Sequence, residues 1–295
     1  MRISTTIFLT DETVTPVRLA RELEQRGFGG LYLPEHTHIP VIRSTPYPMG
    51  GELPREYGRT LDPFVALAQA AAVTERLVLG TGITLVAQHD PIDLAKQAAT
   101  LDHLSGGRFT LGVGYGWNVE EAADHGVEWA TRRDRVRDRM ALMRALWADG
   151  PTAYEGAFGS VRASEAHPKP ARRPRGPVNG PRTLIGGGAG PKLFAHIAQY
   201  ADGWLPIGGG GLTESLPKLR AAWEEAGRGP EGPRWCRTRS CPARGSSPTT
   251  RSWASRRSCS SCPRRARRRS CGRWTTTPRI SDTHDAYPFR YAVYL

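Results

Sequence analysis

The first 234 residues contain no cysteine, since all five cysteines lie further along, at Cys236, Cys241, Cys259, Cys262 and Cys271. Disulfides and cysteine-ligated metals are therefore excluded from most of the chain. Long apolar runs are also missing: no stretch approaches the roughly 20 apolar residues of a membrane span. The N-terminus, MRISTTIFLTDETVTP, lacks the long apolar region of a signal peptide. These absences predict a cytoplasmic protein that has no membrane partner.

Net charge is almost absent from the body of the chain, although the whole sequence carries a formal charge of +13. Residues 235–295 hold 14 arginines, no lysine and only two acids, whereas residues 1–234 hold 27 bases and 26 acids. Polyanion binding is thus confined to the tail, where the segment PRRARRRS at 263–270 could bind the phosphates of a nucleic acid. The C-x-x-C at 259–262 could form half of a zinc site. We expect neither, and no nucleic-acid partner.

The most regular part of the sequence is residues 77–118. An apolar run, Leu77 to Leu85, is typical of a buried strand, and Asp90 with Pro91 begins a helix whose apolar positions recur at helical spacing. A second strand follows at Arg108 to Val113. Because a strand, a helix and a strand in succession form a parallel pair, the segment predicts an α/β fold.

Both of these strands end in glycine-rich, polar sequence, with Gly82 in the first and GYGWN, residues 114–118, after the second. Ligands of parallel α/β folds bind at that edge of the sheet. A single glycine is explained by room for a turn, but two adjacent strands with the same ending favour a ligand site. A third stretch, residues 186–188, joins a strand to a helix, where free backbone N–H groups suit a phosphate.

Glu35 and His36 follow another predicted strand, Gly30 to Pro34. A Glu-His pair at such a strand end can act as acid, base or hydrogen-bond donor, although His36 could simply cap the strand. His36 and His38 could also form half of a metal site, but no further ligand cluster lies near them in sequence, so we predict no metal.

A long irregular segment, Val41 to Arg59, follows this pair and is rich in proline and glycine, with Tyr47 and Tyr57 among them. Segments of this length in a compact domain are usually functional lids or disordered. The aromatic residues favour a lid over a substrate pocket. We refer to residues 41–59 as the lid segment.

The segments LGTGITL at 79–85 and LDHLSGGRFTLGVGYGWN at 101–118, with the later ALMRALW, IGGG and ADGWLP, resemble the luciferase-like monooxygenase family and, within it, the deazaflavin-dependent oxidoreductases. The resemblance ends at about Arg234. It implies an α/β fold, a (β/α)8 TIM barrel of the bacterial-luciferase type, with a flavin or deazaflavin bound at the C-terminal ends of its strands.

The resemblance also implies roles for individual residues. Glu35 and His36 are expected to be catalytic and to face the cofactor ring, and the peptide bond between Gly82 and Ile83 is expected to be cis. The predicted cofactor-binding residues are Gly82, Ile83, Gly114, Gly116, Asn118, Gly186, Gly187 and Gly188. The predicted reaction is hydride transfer between coenzyme F420 and a small organic substrate, with an FMN-dependent monooxygenase as the alternative. A homodimer is left open.

From Trp235 onward the sequence no longer resembles a folded protein. Leucine is absent until Leu295, and Arg, Ser, Cys, Pro and Thr dominate. We interpret residues 235–295 as an out-of-frame reading of the gene and residues 1–234 as a barrel domain with six strands. Strands seven and eight of the barrel are then lost, so strands one and six are expected to keep unpaired edges.

Overall fold

Parallel strands form the central sheet of the computed structural model, which describes residues 3–171, 180–207, 211–235, 237–240 and 291–294. In chain order the strands are β1 Ile3–Thr6, β2 Gly30–Leu33, β3 Val78–Thr81, β4 Phe109–Val113, β5 Thr152–Glu155, β6 Ser160–Ser164, β7 Arg182–Gly187, β8 Gly203–Pro206, β9 Arg234–Trp235, β10 Arg237–Ser240 and β11 Tyr291–Tyr294. One sheet has the order β10-β11-β1-β2-β3-β4-β7-β8-β9, while β5 and β6 form a separate antiparallel pair.

Helices connect successive parallel strands. They are α1 Pro16–Gln25, α2 Pro63–Ala72, α3 Pro91–Leu104, α4 Val119–Asp124, α5 Arg132–Trp147, α6 Pro191–Tyr200 and α7 Leu212–Glu225. The first three begin alike: Thr15, Asp62 and Asp90 each accept a backbone N–H of the first turn, and a proline follows. The proline has no N–H to lose there, and the cap satisfies an otherwise orphaned donor. Among the described helices, none has the length and apolar character needed to cross a bilayer.

The two faces of the sheet bury different apolar clusters. The larger cluster packs the helices against one face and includes the fully buried Trp204 and Phe109. On the opposite face of the sheet, Leu184 and Leu205 pack with Ile83 in a smaller cluster. A curled parallel sheet that is apolar on both faces is the arrangement of a barrel wall. The predicted α/β fold is therefore confirmed.

The expectation of unpaired edges on the first and sixth parallel strands is wrong. β1 pairs antiparallel with β11, where Ile3 lies opposite Tyr294, and β8 pairs in parallel with β9, where Gly203 lies opposite Arg234. Strand pairing uses main-chain groups, so an open edge can pair with extended backbone of almost any sequence. The out-of-frame interpretation and the C-x-x-C concern residues that lie mostly outside the described ones. Those interpretations, and the domain boundary after residue 234, stay predictions.

Two connections between parallel strands contain short regular elements that apolar periodicity does not predict. Helix α4 lies in the polar connection after β4, and the β5–β6 pair lies between residues 150 and 181. Helix α4 spans only 6 residues and buries two of them, Glu121 and Ala122. An element of this length completes too few turns for a periodic apolar pattern to emerge.

Candidate functional site

The parallel topology brings all the predicted site residues to one edge of the sheet. Glu35 and His36 follow β2, the Gly82–Ile83 pair follows β3, residues 114–118 follow β4, and residues 186–188 end β7. Because parallel strands share a direction, their C-terminal ends lie at the same edge, where α/β folds bind ligands. The roles of the individual residues stay predictions.

Ile83 occupies the space between the ends of β4 and β7. The Gly82–Ile83 peptide bond is cis, as predicted. A Cβ atom on Gly114 would lie 2.2 Å from Cδ1 of Ile83, and one on Gly186 would lie 2.6 Å from its Cγ2. The packing of Ile83 alone therefore requires these two glycines. A Cβ atom on Gly188 would meet nothing within 4 Å, so its backbone borders open space.

His36 is held by two side chains of the β4–α4 connection. Its Nδ1 lies 2.8 Å from Oε2 of Glu121, and the indole N–H of Trp117 donates to its Nε2 at 3.3 Å. Because Nε2 accepts, Nδ1 carries the proton and donates it to the carboxylate. The side chains of His36 and Glu121 are 6% and 1% exposed. Water is thus largely excluded from this dyad, which strengthens its hydrogen bonds.

Glu35 contacts a different segment, the turn that follows the cis peptide. Its Oε2 accepts the backbone N–H of Leu85 at 2.6 Å, and its Oε1 lies 2.9 Å from Nε2 of His89. Burial alone would lower the pKa of His89, but the hydrogen bond and the charge of Glu35 outweigh it and raise that pKa. Both carboxylate oxygens are therefore engaged within the protein.

Arg139 of α5 fixes the same turn from its other side. Its guanidinium is buried and donates to the carbonyl oxygens of Val86 and Ala87, at 3.2 and 2.8 Å, and to that of His89. Burial is the main reason that the pKa of Arg139 falls to about 10. Glu35 and Arg139 together restrain residues 85–89, directly beside the cis peptide.

The lid segment covers His36 with aromatic rings. The ring centroid of Tyr57 lies 5.3 Å from that of His36, and the ring of Tyr47 lies 6.2 Å from Trp117. The hydroxyl oxygens of Tyr47 and Tyr57 are 3.2 Å apart. The lid segment also lines a cavity of about 380 Å³ between Val41 and Leu53.

One carboxylate joins the lid segment to α4. Glu120 accepts the backbone N–H of Ser44 at 2.6 Å and that of Thr45 at 3.2 Å, and the two hydroxyls donate to it at 2.8 and 2.6 Å. These hydrogen bonds, that from the Thr45 side chain first, lower the pKa of Glu120 to about 2. The carboxylate is therefore ionised at neutral pH and holds four donors of the lid segment.

Four buried polar atoms near the strand ends have no hydrogen-bond partner in the described structure. They are Oγ1 of Thr6, Oγ1 of Thr84, Oε1 of Gln88 and Nδ2 of Asn118. Buried polar atoms are nearly always paired, so these atoms indicate where a polar ligand or water is accommodated. The set includes a donor and an acceptor, which suits a planar heterocycle that carries carbonyl and N–H groups.

These atoms lie beside the predicted cofactor glycines. A Cβ atom on Gly82 would lie 3.5 Å from Cγ2 of Thr6, and one on Gly116 would lie 4.0 Å from Nε2 of Gln88. Asn118 is itself the N-cap of α4, where its Oδ1 accepts the backbone N–H of Glu121. The unpartnered atoms and the glycine-rich strand ends therefore lie at the same edge of the sheet.

His38 contacts a different set of side chains from His36. Its Nε2 lies 2.9 Å from Oδ2 of Asp124 in an exposed pair, and the Thr37 hydroxyl contacts both His38 and His125. Within the residues that the structure describes, no three His, Cys, Asp or Glu side chains are grouped as metal ligands.

Five residues at this edge were not predicted from the sequence: Thr6, Thr84, Gln88, Trp117 and Glu121. Only Glu121 carries a readable signal, because an acid three residues after an N-cap residue such as Asn118 is a capping pattern. The contact of Glu121 with His36 spans 85 residues of sequence and follows from the topology alone.

Comparison with known proteins gives a consistent family. The model of the luciferase-like monooxygenase family matches residues 12–290. An uncharacterized protein of Mycobacterium tuberculosis (strain ATCC 25618 / H37Rv) is 44% identical over 232 residues, which cover 77% of this chain and 80% of that protein. The F420-dependent glucose-6-phosphate dehydrogenase of Beutenbergia cavernae is 32% identical over 200 residues, which cover 65% of this chain and 53% of the dehydrogenase.

A solved structure shares the fold. It is a type II Baeyer–Villiger monooxygenase of Pseudomonas putida in complex with FMN, with a TM-score of 0.61 and 18% sequence identity. The match covers 78% of this chain and 65% of that one, so the chain spans slightly less than two thirds of its length. The chain belongs to the luciferase-like monooxygenase family, whose members are oxidoreductases or monooxygenases.

Proposed function

We propose that this protein is an oxidoreductase that binds coenzyme F420 at the C-terminal ends of its parallel strands and transfers a hydride between the coenzyme and a small organic substrate. The observation that carries the proposal is the group of unpartnered buried polar atoms on Thr6, Thr84, Gln88 and Asn118, which lies beside Gly82 and Gly116. A polar-edged tricyclic ring supplies the partners that these atoms lack.

The choice of F420 over FMN rests on the relatives. The F420-dependent dehydrogenase is 32% identical to this chain, whereas the FMN-bound monooxygenase is 18% identical and supports the fold alone. The unpartnered atoms suit the polar edge of either ring. An FMN-dependent monooxygenase is therefore the second candidate, favoured by the same strand-end geometry.

The deazaflavin supplies a ring that accepts or donates a hydride. The protein supplies the proton transfer, which we assign to His36. In the tautomer fixed by Glu121 and Trp117, Nε2 carries the lone pair. The 3.3 Å contact with Trp117 is the longer of the two, and a substrate hydroxyl can replace it. Nε2 then takes the hydroxyl proton when an alcohol is oxidised and returns it in the reverse direction.

Glu121 orients His36 and stabilises the imidazolium that forms when Nε2 takes a proton. A buried carboxylate next to an imidazole fulfils both tasks without itself being protonated. Glu35, by contrast, acts through Leu85 and His89, so we assign it the positioning of the turn beside Gly82 and Ile83 rather than proton transfer.

The glycines at the end of β7 are proposed to approach the phosphorylated tail of the coenzyme. Helix α6 begins directly after them, with Gly190 as its N-cap and no capping side chain. Backbone N–H groups and the positive end of the helix dipole favour an anion at such a position. Gly188 borders open space, so its backbone is available for this approach.

Titration of the purified full chain with F420 and with FMN tests the proposal. We expect saturable binding of F420, at least about tenfold tighter than that of FMN, and reduction of bound F420 by a member of a panel of secondary alcohols. Tight FMN binding with oxygen-dependent turnover would replace the first candidate by the second. Failure of both coenzymes to bind would contradict the site itself.

Asn118→Asp is the matched variant for this test. Aspartate still accepts the N–H of Glu121 as an N-cap, but it replaces the unpartnered Nδ2 donor with an acceptor. We expect an unchanged melting temperature and about tenfold weaker coenzyme binding. Coenzyme affinity equal to that of the wild type would remove Asn118 from the proposed site.

A further inference from the structure

The side chain of His36 is only 6% exposed, because the lid segment lies over it. The ring of Tyr57 contacts His36, and the hydroxyl of Thr60, just past the lid segment, donates to the backbone carbonyl of His36 at 2.8 Å. A substrate therefore reaches Nε2 only after the lid segment moves. Admission of substrate and proton transfer by His36 require two different lid positions.

The two ends of the lid segment are attached differently. At its C-terminal end, Arg59 pairs with Asp11 and Glu12, and Arg55 pairs with Glu12 at 2.6 Å. Near its N-terminal end, attachment is through Ser44 and Thr45, whose four donors converge on Glu120. The Thr45 hydroxyl also accepts the N–H of Val119 at 3.3 Å. The first turn of α4 is thus the contact that lid opening must break.

The same turn of α4 holds His36. Trp117 and Glu121 bracket the imidazole, and between them Asn118 caps the turn by accepting the N–H of Glu121. Of the five consecutive residues 117–121, four therefore contact the lid segment or His36, and the fifth, Asn118, caps the turn that holds them together. The residues of one helix turn are restrained relative to each other by backbone hydrogen bonds. A displacement of Glu120 therefore also displaces its neighbours within residues 117–121.

We propose that the first turn of α4 couples closure of the lid segment to the orientation of His36, so that the imidazole is set for proton transfer only when Glu120 holds Ser44 and Thr45. The inference rests on the proposed function only for the role of His36, since the coupling itself is a property of the protein. Lid closure over bound substrate then prepares the base, and lid opening relaxes it.

The test compares two variants of the full chain that break the attachment from opposite sides. Glu120→Ala removes the acceptor on α4, and Thr45→Val removes the lid hydroxyl that contacts both Glu120 and the N–H of Val119, without changing the sequence of α4. Glu128→Ala is the matched control, because Glu128 is an exposed glutamate in the connection that follows α4. If Glu120→Ala fails to fold, Thr45→Val carries the test.

Two readouts are recorded on the coenzyme-free protein: amide hydrogen exchange of residues 41–59 and the imidazole ¹⁵N shifts of His36, assigned with His36→Gln. In both variants we expect lid exchange to be about tenfold faster and the Nδ1–H tautomer signal of His36 to give way to a mixture, with no change in the control. Faster lid exchange with an unchanged His36 spectrum overturns the coupling. Unchanged lid exchange in both variants overturns the attachment.

These outcomes are separable from the proposed function, because neither readout uses a coenzyme. A chain that binds neither F420 nor FMN but shows both changes retains the coupling and loses only the proposed reaction. In a chain that is active, Glu120→Ala and Thr45→Val are expected to lower kcat about tenfold with a smaller change in KM, because His36 is then set for proton transfer in a smaller fraction of the bound enzyme.

Discussion

Nδ1 of His36 lies 2.8 Å from Oε2 of Glu121, which joins the loop after β2 to the first turn of α4. Both side chains are buried, and the carboxylate fixes which imidazole nitrogen carries the proton. A histidine whose second nitrogen is thereby left as an acceptor is equipped for base catalysis. The relationship makes His36 and Glu121 one buried, hydrogen-bonded pair.

Replacement of His36 by glutamine is expected to lower kcat about 10²- to 10⁴-fold, because no group remains to take the substrate proton. Glu121→Gln should lower kcat about tenfold, because the amide oxygen can still accept a hydrogen bond from Nδ1–H but carries no charge to stabilise the imidazolium. Steady-state kinetics with F420 and an alcohol substrate measure both effects. His38→Gln is the control and should retain full activity. Equal activity of the wild type and His36→Gln would refute the assignment.

Apart from α4 and the β5–β6 pair, the order of strands and helices up to α7 could be predicted, because apolar periodicity and turn signals are local. Asp90 and Pro91, for example, predict the start of α3 from local sequence alone. Contacts between distant segments leave no such trace. The pairing of Glu35 with His89 and of His36 with Glu121 depends on which loops meet at the sheet edge, so sequence placed Glu35 and His36 at the site but not their partners.

The glycines illustrate the same limit. The sequence predicts that Gly114 and Gly186 leave room for a ligand. In the structure, the side chain of Ile83 occupies the space that a Cβ atom on either glycine would need. A glycine forced by a packed side chain and a glycine kept for a ligand look identical in sequence, since each only reports that a Cβ does not fit.

Stability should depend on pH through His89. Its folded-state pKa is raised above the ordinary 6.5, so the pair with Glu35 contributes fully below that pH and its contribution is lost as pH rises through the raised pKa. We expect the melting temperature of the wild type to fall over this interval. Glu35→Gln should show a flatter dependence of melting temperature on pH, because a neutral amide lacks the charge that raises the pKa of His89.

Melting curves recorded from about pH 5.5 to about pH 8.5 compare the two proteins. Glu165→Gln, which alters an exposed glutamate, is the control and should keep the wild-type profile. Parallel profiles for the wild type and Glu35→Gln would show that the Glu35–His89 pair does not link folding to protonation.

The out-of-frame interpretation of residues 235–295 predicts a gain when the frame is restored after Arg234. A chain that regains barrel strands seven and eight buries more apolar surface, so it should melt at least about 5 °C higher than the chain as written. Resequencing of the gene around that codon and thermal unfolding of both chains provide the measurement. If both chains melt alike and bind the same coenzyme equally well, residues 235–295 are a genuine part of the fold.

The contact between Ile83 and Gly114 gives a test of the strand-end packing that is independent of any ligand. Because a Cβ on Gly114 would lie 2.2 Å from Cδ1 of Ile83, Gly114→Ala should lower the free energy of unfolding by about 1 to 3 kcal/mol through overpacking. Ile83→Ala removes the obstructing atoms, so the double variant should be more stable than the sum of the two single changes predicts, with a coupling of about 1 to 3 kcal/mol. Urea unfolding of the four proteins measures it. Gly188→Ala is the control, since its Cβ meets nothing within 4 Å, and it should alter stability by less than about 0.5 kcal/mol. Strict additivity of Gly114→Ala and Ile83→Ala would mean that Ile83 does not occupy the space between β4 and β7.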